Sequence, residues 1–394
     1  MDVGEPARRY FDNAATSFPK PPDVVEAACA ALRDNAASAG RGAYREALAA
    51  GRVLDECRAV VKRFFGGAPG DQVVFGLNGT DALNLALKGV LRPGDHVVTT
   101  AMEHNSVLRP LHALRVQRGV TFTAIDADPE TTRINVDELV RALQSNTRLV
   151  ALNHASNVTG AIQPLDAVAS LCREREVLLL IDAAQSAGHL PLDLTRSPVD
   201  LLACSGHKGL LGPLGTGVLV IAERAAAALQ TVREGGTGSA SEQPQQPDAL
   251  PDRLEAGSHN LVGLAGLRAA VEWLQARGVV DVRRHERDLC ERMIERLSRH
   301  EHLHFYGPRS AEQRVGVFSV RVEGYEPAEL SALLEERFGL LTRSGLHCAP
   351  LAHQTIGTLR RGGTTRLSFG PFTTPADVDF AADALTEIAA AAPA

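Results

Sequence analysis

Short apolar runs alternate with longer segments of helical periodicity through the first part of the chain. The apolar runs predict strands at Gln72–Gly76, His96–Thr100, Thr121–Ile125, Leu149–Asn153, Val177–Ile181, Leu201–Ser205 and Thr216–Ile221. Several of these runs, such as VLLLI at residues 177–181, are apolar at every position, which is typical of parallel strands covered on both faces. Helical patterns lie between most of them, at Asp81–Gly89, Val107–Arg118, Val136–Gln144 and Leu165–Glu174. This alternation predicts an α/β doubly wound domain.

The pattern changes after Gly257 and becomes a mixture of long helices and few strands. Helices are predicted at Leu261–Arg277, Val282–Arg299, Pro327–Phe338 and Pro375–Ala392, and strands at Gly316–Val322 and Thr365–Phe369. We therefore predict a large domain at residues 15–257 and a smaller α+β domain formed by residues 1–14 and 258–394. The segment Gly235–Pro251 is rich in Gly, Ser, Gln and Pro, which favours a flexible linker.

Composition and charge indicate an ordinary globular protein and exclude several classes of function. Hydrophobic residues make up 44% of the 394 residues, charged residues make up 22%, and the net charge is −6. This acidic balance, without basic runs, argues against binding to nucleic acid or to an anionic membrane. The polar stretch Met1–Arg9 lacks the apolar core of a signal peptide, and no run reaches the roughly 18 apolar residues of a membrane span. We expect a cytoplasmic protein with reduced thiols.

Two strand ends carry residues suited to an aldehyde cofactor. Ligands of open α/β sheets bind at the carboxyl ends of strands. Asp182 follows one strand, where it either caps the next turn or keeps a heteroaromatic nitrogen protonated. Lys208 follows the next strand among glycines, and a desolvated lysine becomes a nucleophilic amine. Their spacing fits the chemistry of pyridoxal 5′-phosphate (PLP).

Three other loops follow predicted strands and carry polar residues. Gly79 and Thr80 begin a helix, where they offer N–H groups and a hydroxyl to an anion, although Thr80 could simply cap the helix. Neither a G-x-G-x-x-G motif nor a Walker A lysine is present, which favours a single phosphate over a nucleotide. His104 and Asn157 lie in the other two loops, where each residue alone would more often be a cap or a surface side chain.

The six cysteines differ in their surroundings. No pair has Cys-x-x-Cys spacing, and Cys29, Cys57, Cys172 and Cys290 fall in helical segments, where a thiol usually acts as a small hydrophobic group. Cys348 instead lies in the loop Arg343–Pro350, where the positive charges of Arg343 and His347 would favour the thiolate. The alternatives are an incidental loop thiol and a metal site with His347 and His353, whose spacing matches no reliable zinc pattern. We expect no metal.

Together these motifs give the chain a specific resemblance. They are Tyr10–Ala15, Asp182-x-x-Gln185, Ser205–Lys208, Arg343-x-Gly345-x-His347-Cys348 and Thr365–Ser368. The chain resembles the class V aminotransferase family of fold type I PLP-dependent transferases, and within it the group II cysteine desulfurases and selenocysteine lyases. The fold that this implies is a large domain with a mostly parallel seven-stranded sheet and a smaller α+β C-terminal domain.

The resemblance implies that PLP is the cofactor and assigns its contacts. Lys208 would be bonded to it and move protons during the reaction, Asp182 would pair with the pyridine nitrogen, and His104 would stack on the ring. The other implied contacts are Gln185 at the phenolic oxygen, Asn157 beside the ring, and Gly79, Thr80, Ser205 and His207 at the phosphate. Ser258 matches a position that reaches the phosphate from the partner subunit, which implies a homodimer.

The resemblance also implies the reaction, the conversion of L-cysteine to L-alanine. Arg366 would bind the substrate carboxylate, with Arg41 and Asn157 on the substrate side. The Cys348 thiolate would take the sulfur as a persulfide and pass it to an acceptor protein. The predicted catalytic residues are therefore Lys208, Cys348 and His104.

Two alternatives remain open at this point. A selenocysteine lyase or another C–S lyase of the family would need Lys208 and Asp182 equally, but it would survive the loss of Cys348. A non-catalytic sulfur-handling or scaffold protein could keep a degenerate form of the fold, although intact Lys208 and Asp182 count against it.

Overall fold

The computed structural model describes residues 6–34, 37–40 and 42–391. Its strands, β1 to β13 in chain order, span Arg9–Tyr10, Gln72–Gly76, His96–Thr100, Thr121–Ile125, Thr147–Asn153, Leu178–Asp182, Leu201–Ser205, Gly217–Ile221, Leu303–Phe305, Val317–Val322, Leu340–Leu341, Arg343–Gly345 and Thr364–Ser368. Its α-helices, α1 to α12, span Pro22–Asp34, Arg45–Phe64, Gly79–Val90, Asn105–Arg118, Val136–Ala142, Leu165–Glu174, Glu223–Ala226, Leu261–Arg277, Val279–Leu297, Pro327–Phe338, Pro350–Thr355 and Pro375–Ala390. None of these helices is both long and apolar enough to cross a membrane.

A seven-stranded sheet forms the centre of the molecule, in the order β2-β8-β7-β6-β5-β3-β4. Strand β8 runs antiparallel to both of its neighbours, and the other pairs are parallel. Apolar residues on β6 alternate between two buried clusters: Leu179 and Ile181 face one, and Leu178 and Leu180 face the other. Because helices cover both faces, every position of this strand is apolar until Asp182 ends it.

A second sheet, in the order β12-β13-β10-β9, is antiparallel throughout. Its buried cluster joins Phe318 and Leu367 of the sheet to Leu289 of α9, Leu330 of α10 and Leu385 of α12. The predicted division into residues 15–257 and residues 1–14 with 258–394 stays a prediction. Helix α8, beyond residue 257, packs on α1 and α2.

Glu255 anchors the segment that leads to Ser258. Its side chain is only 4% exposed and accepts hydrogen bonds from Arg58 at 2.7 and 2.6 Å and from the amide of Phe75 at 2.6 Å. His259 Nε2 lies 2.5 Å from the same carboxylate. Burial alone would raise the pKa of Glu255, but the hydrogen bonds from His259 and Arg58 outweigh burial and lower it. The carboxylate is therefore charged, buried and paired at neutral pH.

Glu255→Gln is expected to lower the free energy of unfolding by about 3 kcal/mol, since it leaves the half-buried Arg58 without its charge partner. Urea titration at neutral pH measures the loss. The matched control is Glu56→Gln, which breaks the exposed ion pair with Arg268 and should cost about 1 kcal/mol or less. Because the pKa of Glu255 is lowered, its contribution should be present above the ordinary carboxyl pKa and disappear as the pH falls. Equal losses in the two variants would contradict this account.

Candidate active site

The carboxyl ends of β5, β6 and β7 and the N-termini of α3 and α4 surround a cavity of about 200 Å³. Most of the predicted cofactor residues line it, namely Gly79, Thr80, His104, Asn157, Asp182, Gln185, Ser205, His207 and Lys208. Asn78, Leu83, Ser106, Asn153, Ala155 and Ala184 complete the wall. This is the edge of the sheet at which α/β proteins bind ligands.

The N-terminus of α3 forms one end of the cavity. The helix is capped by Asn78, whose side chain accepts from the amide of Asp81 at 2.9 Å, so the alternative that Thr80 is the cap is wrong. The Thr80 hydroxyl instead lies 2.7 Å from Ser106 Oγ. A Cβ on Gly79 would lie 2.6 Å from Ser205 Oγ, and this contact explains the glycine. The helix thus presents N–H groups and hydroxyls to a small anion.

His104 caps α4 and stands beside the cavity as a neutral imidazole. Its Nδ1 accepts from the amide of Ser106 at 3.0 Å, so the ring proton is on Nε2. Burial, followed by the charge of Lys208, lowers its pKa to about 4. A neutral ring in this position can stack on a planar ligand.

Asp182 ends β6 and is almost completely buried. One carboxylate oxygen accepts from the amide of Ala184 at 2.9 Å. Burial raises its pKa, although the bond from Ala184 and the charge of Lys208 oppose the shift. A carboxylate in such surroundings is stabilised by a cationic partner, and a protonated ring nitrogen in the cavity would provide one.

Lys208 lines the cavity in the turn after β7. Burial of the Lys208 amine lowers its pKa to about 8, and the negative charge of Asp182 opposes this shift. The N-terminal segment fixes the peptide next to it, since the carbonyl of His207 accepts from the Ser17 amide at 3.0 Å and from Lys20 Nζ at 3.0 Å. An amine with this pKa is partly neutral near physiological pH and can act as a nucleophile or base.

Arg366 is buried on β13 between two acceptors. Its guanidinium donates to Asp12 at 2.7 Å and to the main-chain carbonyl of Asn157 at 3.1 Å, while Nε has no partner among the described residues. Asn157 lines the cavity, so the bond to its carbonyl holds the guanidinium next to the cavity wall. Gln185 is held by another part of the same N-terminal segment, because its amide donates to the carbonyl of Ala14 at 2.8 Å.

Cys348 is exposed in a turn between β12 and α11. Two bonds tie this turn to the cavity wall: the Asn105 amide donates to the Cys348 carbonyl at 2.7 Å, and Asn157 Nδ2 donates to the His347 carbonyl at 2.7 Å. These bonds hold the exposed thiol beside the wall of the cavity that Lys208 lines. The expectation that His347 adds positive charge is wrong, because burial lowers the pKa of its imidazole well below the ordinary value.

One predicted residue lies elsewhere, and another falls outside the described residues. Ser258 is exposed and borders a separate cavity of about 190 Å³ with Leu77, Arg233 and Gly257, so it does not reach this chain's own cavity. Arg41 falls outside the described residues. Within residues 6–34, 37–40 and 42–391, no group of three or more His, Cys, Asp or Glu side chains is arranged to hold a metal.

Comparison with known proteins identifies the family of this chain. The sequence pattern of class-V aminotransferases matches residues 9–380. The chain belongs to the class-V aminotransferase family. The predicted fold, that of the fold type I transferases with a mostly parallel seven-stranded sheet, is confirmed.

The similar proteins carry consistent names. The probable cysteine desulfurase of Methanothermobacter thermautotrophicus is 32% identical over 383 residues, which cover 96% of this chain and 94% of that protein. The apo structure of the cysteine desulfurase from Thermococcus onnurineus NA1 has a TM-score of 0.89 and 31% identity, covering 97% of this chain and 94% of that one. The S-sulfonic acid form of the cysteine desulfurase CsdA from Escherichia coli has a TM-score of 0.85 and 26% identity, covering 98% and 95%.

Sequence reasoning missed several residues of this class-V aminotransferase site. Ser106 connects Thr80 with His104, and Asn153 lines the cavity at the end of β5. Asp12 holds Arg366 from the other end of the chain. The sequence carried a signal for Asn153, which ends a predicted strand beside the strand that leads to Asp182, and for Asp12, which lies in the motif Tyr10–Ala15.

Proposed function

We propose that this chain is a PLP-dependent cysteine desulfurase, which converts L-cysteine to L-alanine and leaves the sulfur on Cys348. The names of its relatives support this reaction. The observation that carries it is the position of an exposed cysteine, tied by Asn105 and Asn157 to the wall of a cavity that contains Lys208. Such a thiol can reach a substrate held in the cavity and remains accessible to an acceptor protein.

The residues around the cavity fit PLP. The N-terminus of α3 with Thr80 and Ser205 would hold the phosphate, and His104 would lie on the ring. Asp182 would pair with the ring nitrogen, an interaction that relieves the burial of its carboxylate. Gln185 would face the phenolic oxygen, and Lys208 would bind the aldehyde.

Bound PLP supplies an electron sink that acidifies the Cα hydrogen of an attached amino acid. Arg366 would orient the substrate through its carboxylate, and Asp182 would keep the ring nitrogen protonated. The neutral Lys208 amine would then remove the Cα proton and later return protons to the carbon skeleton. Desolvation around the amine favours this neutral form.

Cys348 would complete the reaction by attacking the substrate sulfur. The sulfur–sulfur bond forms as the bond from Cβ to sulfur breaks, and Cβ gains a proton to become the methyl group of alanine. The two sulfur atoms are oxidised by two electrons together, and Cβ is reduced by the same two. L-cysteine and the Cys348 thiol thus give L-alanine and the Cys348 persulfide without another oxidant.

We also propose that the active form is a homodimer. Ser258 does not reach the cavity of its own chain, and the nearby Leu77 and Leu214 are 64% and 67% exposed. Burial of these two apolar side chains against a second copy of the chain would favour the dimer. A monomeric mass in solution for the active enzyme would contradict this arrangement.

The rate at which the apoprotein takes up PLP is expected to rise with pH through about 8. Only the neutral amine attacks an aldehyde, and the pKa of Lys208 is lowered to about 8. The measurement is the growth of cofactor absorption after mixing at a series of pH values, with Lys208→Ala as the control that forms no covalent adduct. A rate that is constant over about two pH units around 8 would contradict this role.

The direct test of the proposed function uses purified enzyme loaded with PLP, L-cysteine and a reductant. Equal amounts of alanine and sulfide are expected. Sulfide with pyruvate in place of alanine would indicate a different C–S lyase reaction. Absence of both carbon products in a protein that retains its cofactor would contradict the proposal.

A further inference from the structure

The turn that carries Cys348 has an unusual backbone. His347 and Cys348 both have positive φ values, 47° and 59°, in the left-handed region that favours glycine. Two consecutive residues of this kind persist only where surrounding contacts hold them. The bonds to the carbonyls of His347 and Cys348 provide part of this restraint.

The rest of the restraint comes from the His347 side chain, which points away from Cys348 into the protein. His347 Nε2 lies 3.2 Å from Thr364 Oγ1, the Thr364 hydroxyl donates to Ser319 Oγ at 2.8 Å, and the Ser319 hydroxyl donates to the Val158 carbonyl at 2.7 Å. His347, Thr364 and Ser319 are all buried. These contacts form one continuous chain of hydrogen bonds, which we call the hydroxyl relay.

The direction of the hydroxyl relay follows from its last member. A carbonyl oxygen can only accept, so Ser319 gives its single proton to Val158. Thr364 therefore donates to Ser319, and His347 must donate from Nε2 to Thr364. Every proton of the relay then has one acceptor, while His347 Nδ1 has no partner among the described residues.

The hydroxyl relay ends next to Asn157, which also binds the main chain of the Cys348 turn. Val158 follows Asn157, whose side chain donates to the His347 carbonyl at 2.7 Å. The turn at residues 157–158 therefore holds His347 at two points. Asn157 binds its main-chain carbonyl, and the Val158 carbonyl ends the relay that begins at its ring. The Asn157 carbonyl also accepts from Arg366, so the same segment contacts the group proposed to bind the substrate.

We propose that the hydroxyl relay through Thr364 and Ser319 is a positioning device that keeps Cys348 in its left-handed conformation at the mouth of the cavity. This inference rests on the proposed desulfurase reaction, in which the thiol must meet the substrate sulfur. Thr364 and Ser319 contact neither the cavity nor Cys348, and they act through His347. The relay determines the efficiency of sulfur transfer and leaves the earlier proton transfer at Cα unaffected.

Thr364→Val and Thr364→Ser form the test pair, since valine keeps the shape without the hydroxyl and serine keeps the hydroxyl without the methyl group. We expect the kcat for alanine formation from L-cysteine to fall about tenfold or more in the valine variant, with a small change in KM. The serine variant should stay close to the wild type. Ser319→Ala, which shortens the relay from its far end, should lower kcat in the same direction.

Two readouts separate positioning from general damage. Amide hydrogen exchange of the segment 345–349 should be faster in Thr364→Val than in Thr364→Ser, with other segments unchanged. Exchange of the Cα hydrogen of L-alanine with solvent, which needs Lys208 and the cofactor but no thiol, should be equal in both variants. Equal kcat values and equal hydrogen exchange in the two variants would overturn the inference. A wild-type enzyme that forms no alanine from L-cysteine would instead overturn the proposed function.

Discussion

If the proposed reaction is correct, Lys208→Ala is expected to abolish the conversion of L-cysteine, with kcat reduced by about 10⁴-fold or more. Lys208 contributes the group that would bind the aldehyde and the base that would move the Cα proton, so one substitution removes both. Its surroundings suit these tasks, because burial lowers the pKa of the amine to about 8 and makes the neutral form available. The assay is alanine formation by protein reconstituted with PLP.

Two controls make this result specific. Lys208→Arg keeps a cation that stays protonated, and it should be as inactive as the alanine variant. Lys20 also has its pKa lowered to about 8 by burial, yet its amine donates to Ser17 and to the His207 carbonyl outside the cavity. Lys20→Ala should therefore lose far less activity. Comparable losses of activity in the Lys20 and Lys208 variants would show that neither loss is specific to the reaction at Cα.

Cys348→Ala is expected to remove sulfur transfer while the cofactor stays bound, and kcat should fall about 10³-fold or more because the nucleophile is gone. The four buried thiols cannot replace it. Burial raises the pKa of Cys57 and Cys172 to about 12 and also raises the pKa of Cys204 and Cys290. Sulfide and alanine are both measured, together with cofactor absorption.

Cys29→Ser is the matched control, since Cys29 and Cys348 are the exposed cysteines of the described chain. Cys29 lies on α1 and should be dispensable. If Cys348→Ala keeps its rate, the persulfide role is wrong, and the activity becomes that of a selenocysteine lyase or another C–S lyase.

The large sheet was predictable because its strands are apolar on both faces. All seven predicted strands are present, and the ends differ by a few residues. The strand predicted at Val177–Ile181 spans Leu178–Asp182, because Asp182 still pairs with Ala203 of the next strand before the chain turns. The polarity of a residue does not show where a hydrogen-bonded ladder stops.

The smaller sheet was predicted only in part. Strand β12 has the sequence Arg-Ser-Gly, which contains no large apolar residue, and β9, Leu-His-Phe, alternates over only three residues, too few to predict a strand. Both form because β10 and β13 offer them free edges. Pairing with distant strands determined these elements, and local sequence preference did not.

The candidate active site was likewise predicted only in part. Strand ends and motifs predicted which residues line the cavity. They did not predict that Asp12 holds Arg366 or that Asn105 and Asn157 hold the Cys348 turn. The Arg366–Asp12 ion pair joins residues far apart in the chain, and the two bonds to the Cys348 turn end on main-chain carbonyls, which every residue type possesses.

The most direct test of the account is the mass of the Cys348 peptide after brief reaction with L-cysteine without reductant. Free thiols and persulfides are alkylated before digestion, and alanine is measured in the same sample. The proposed sulfur transfer predicts one additional sulfur atom on Cys348 and none on Cys29. The amount of modified Cys348 should match the amount of alanine formed in the first turnover. Alanine formation with Cys348 unmodified, or with the sulfur on another cysteine, would contradict it.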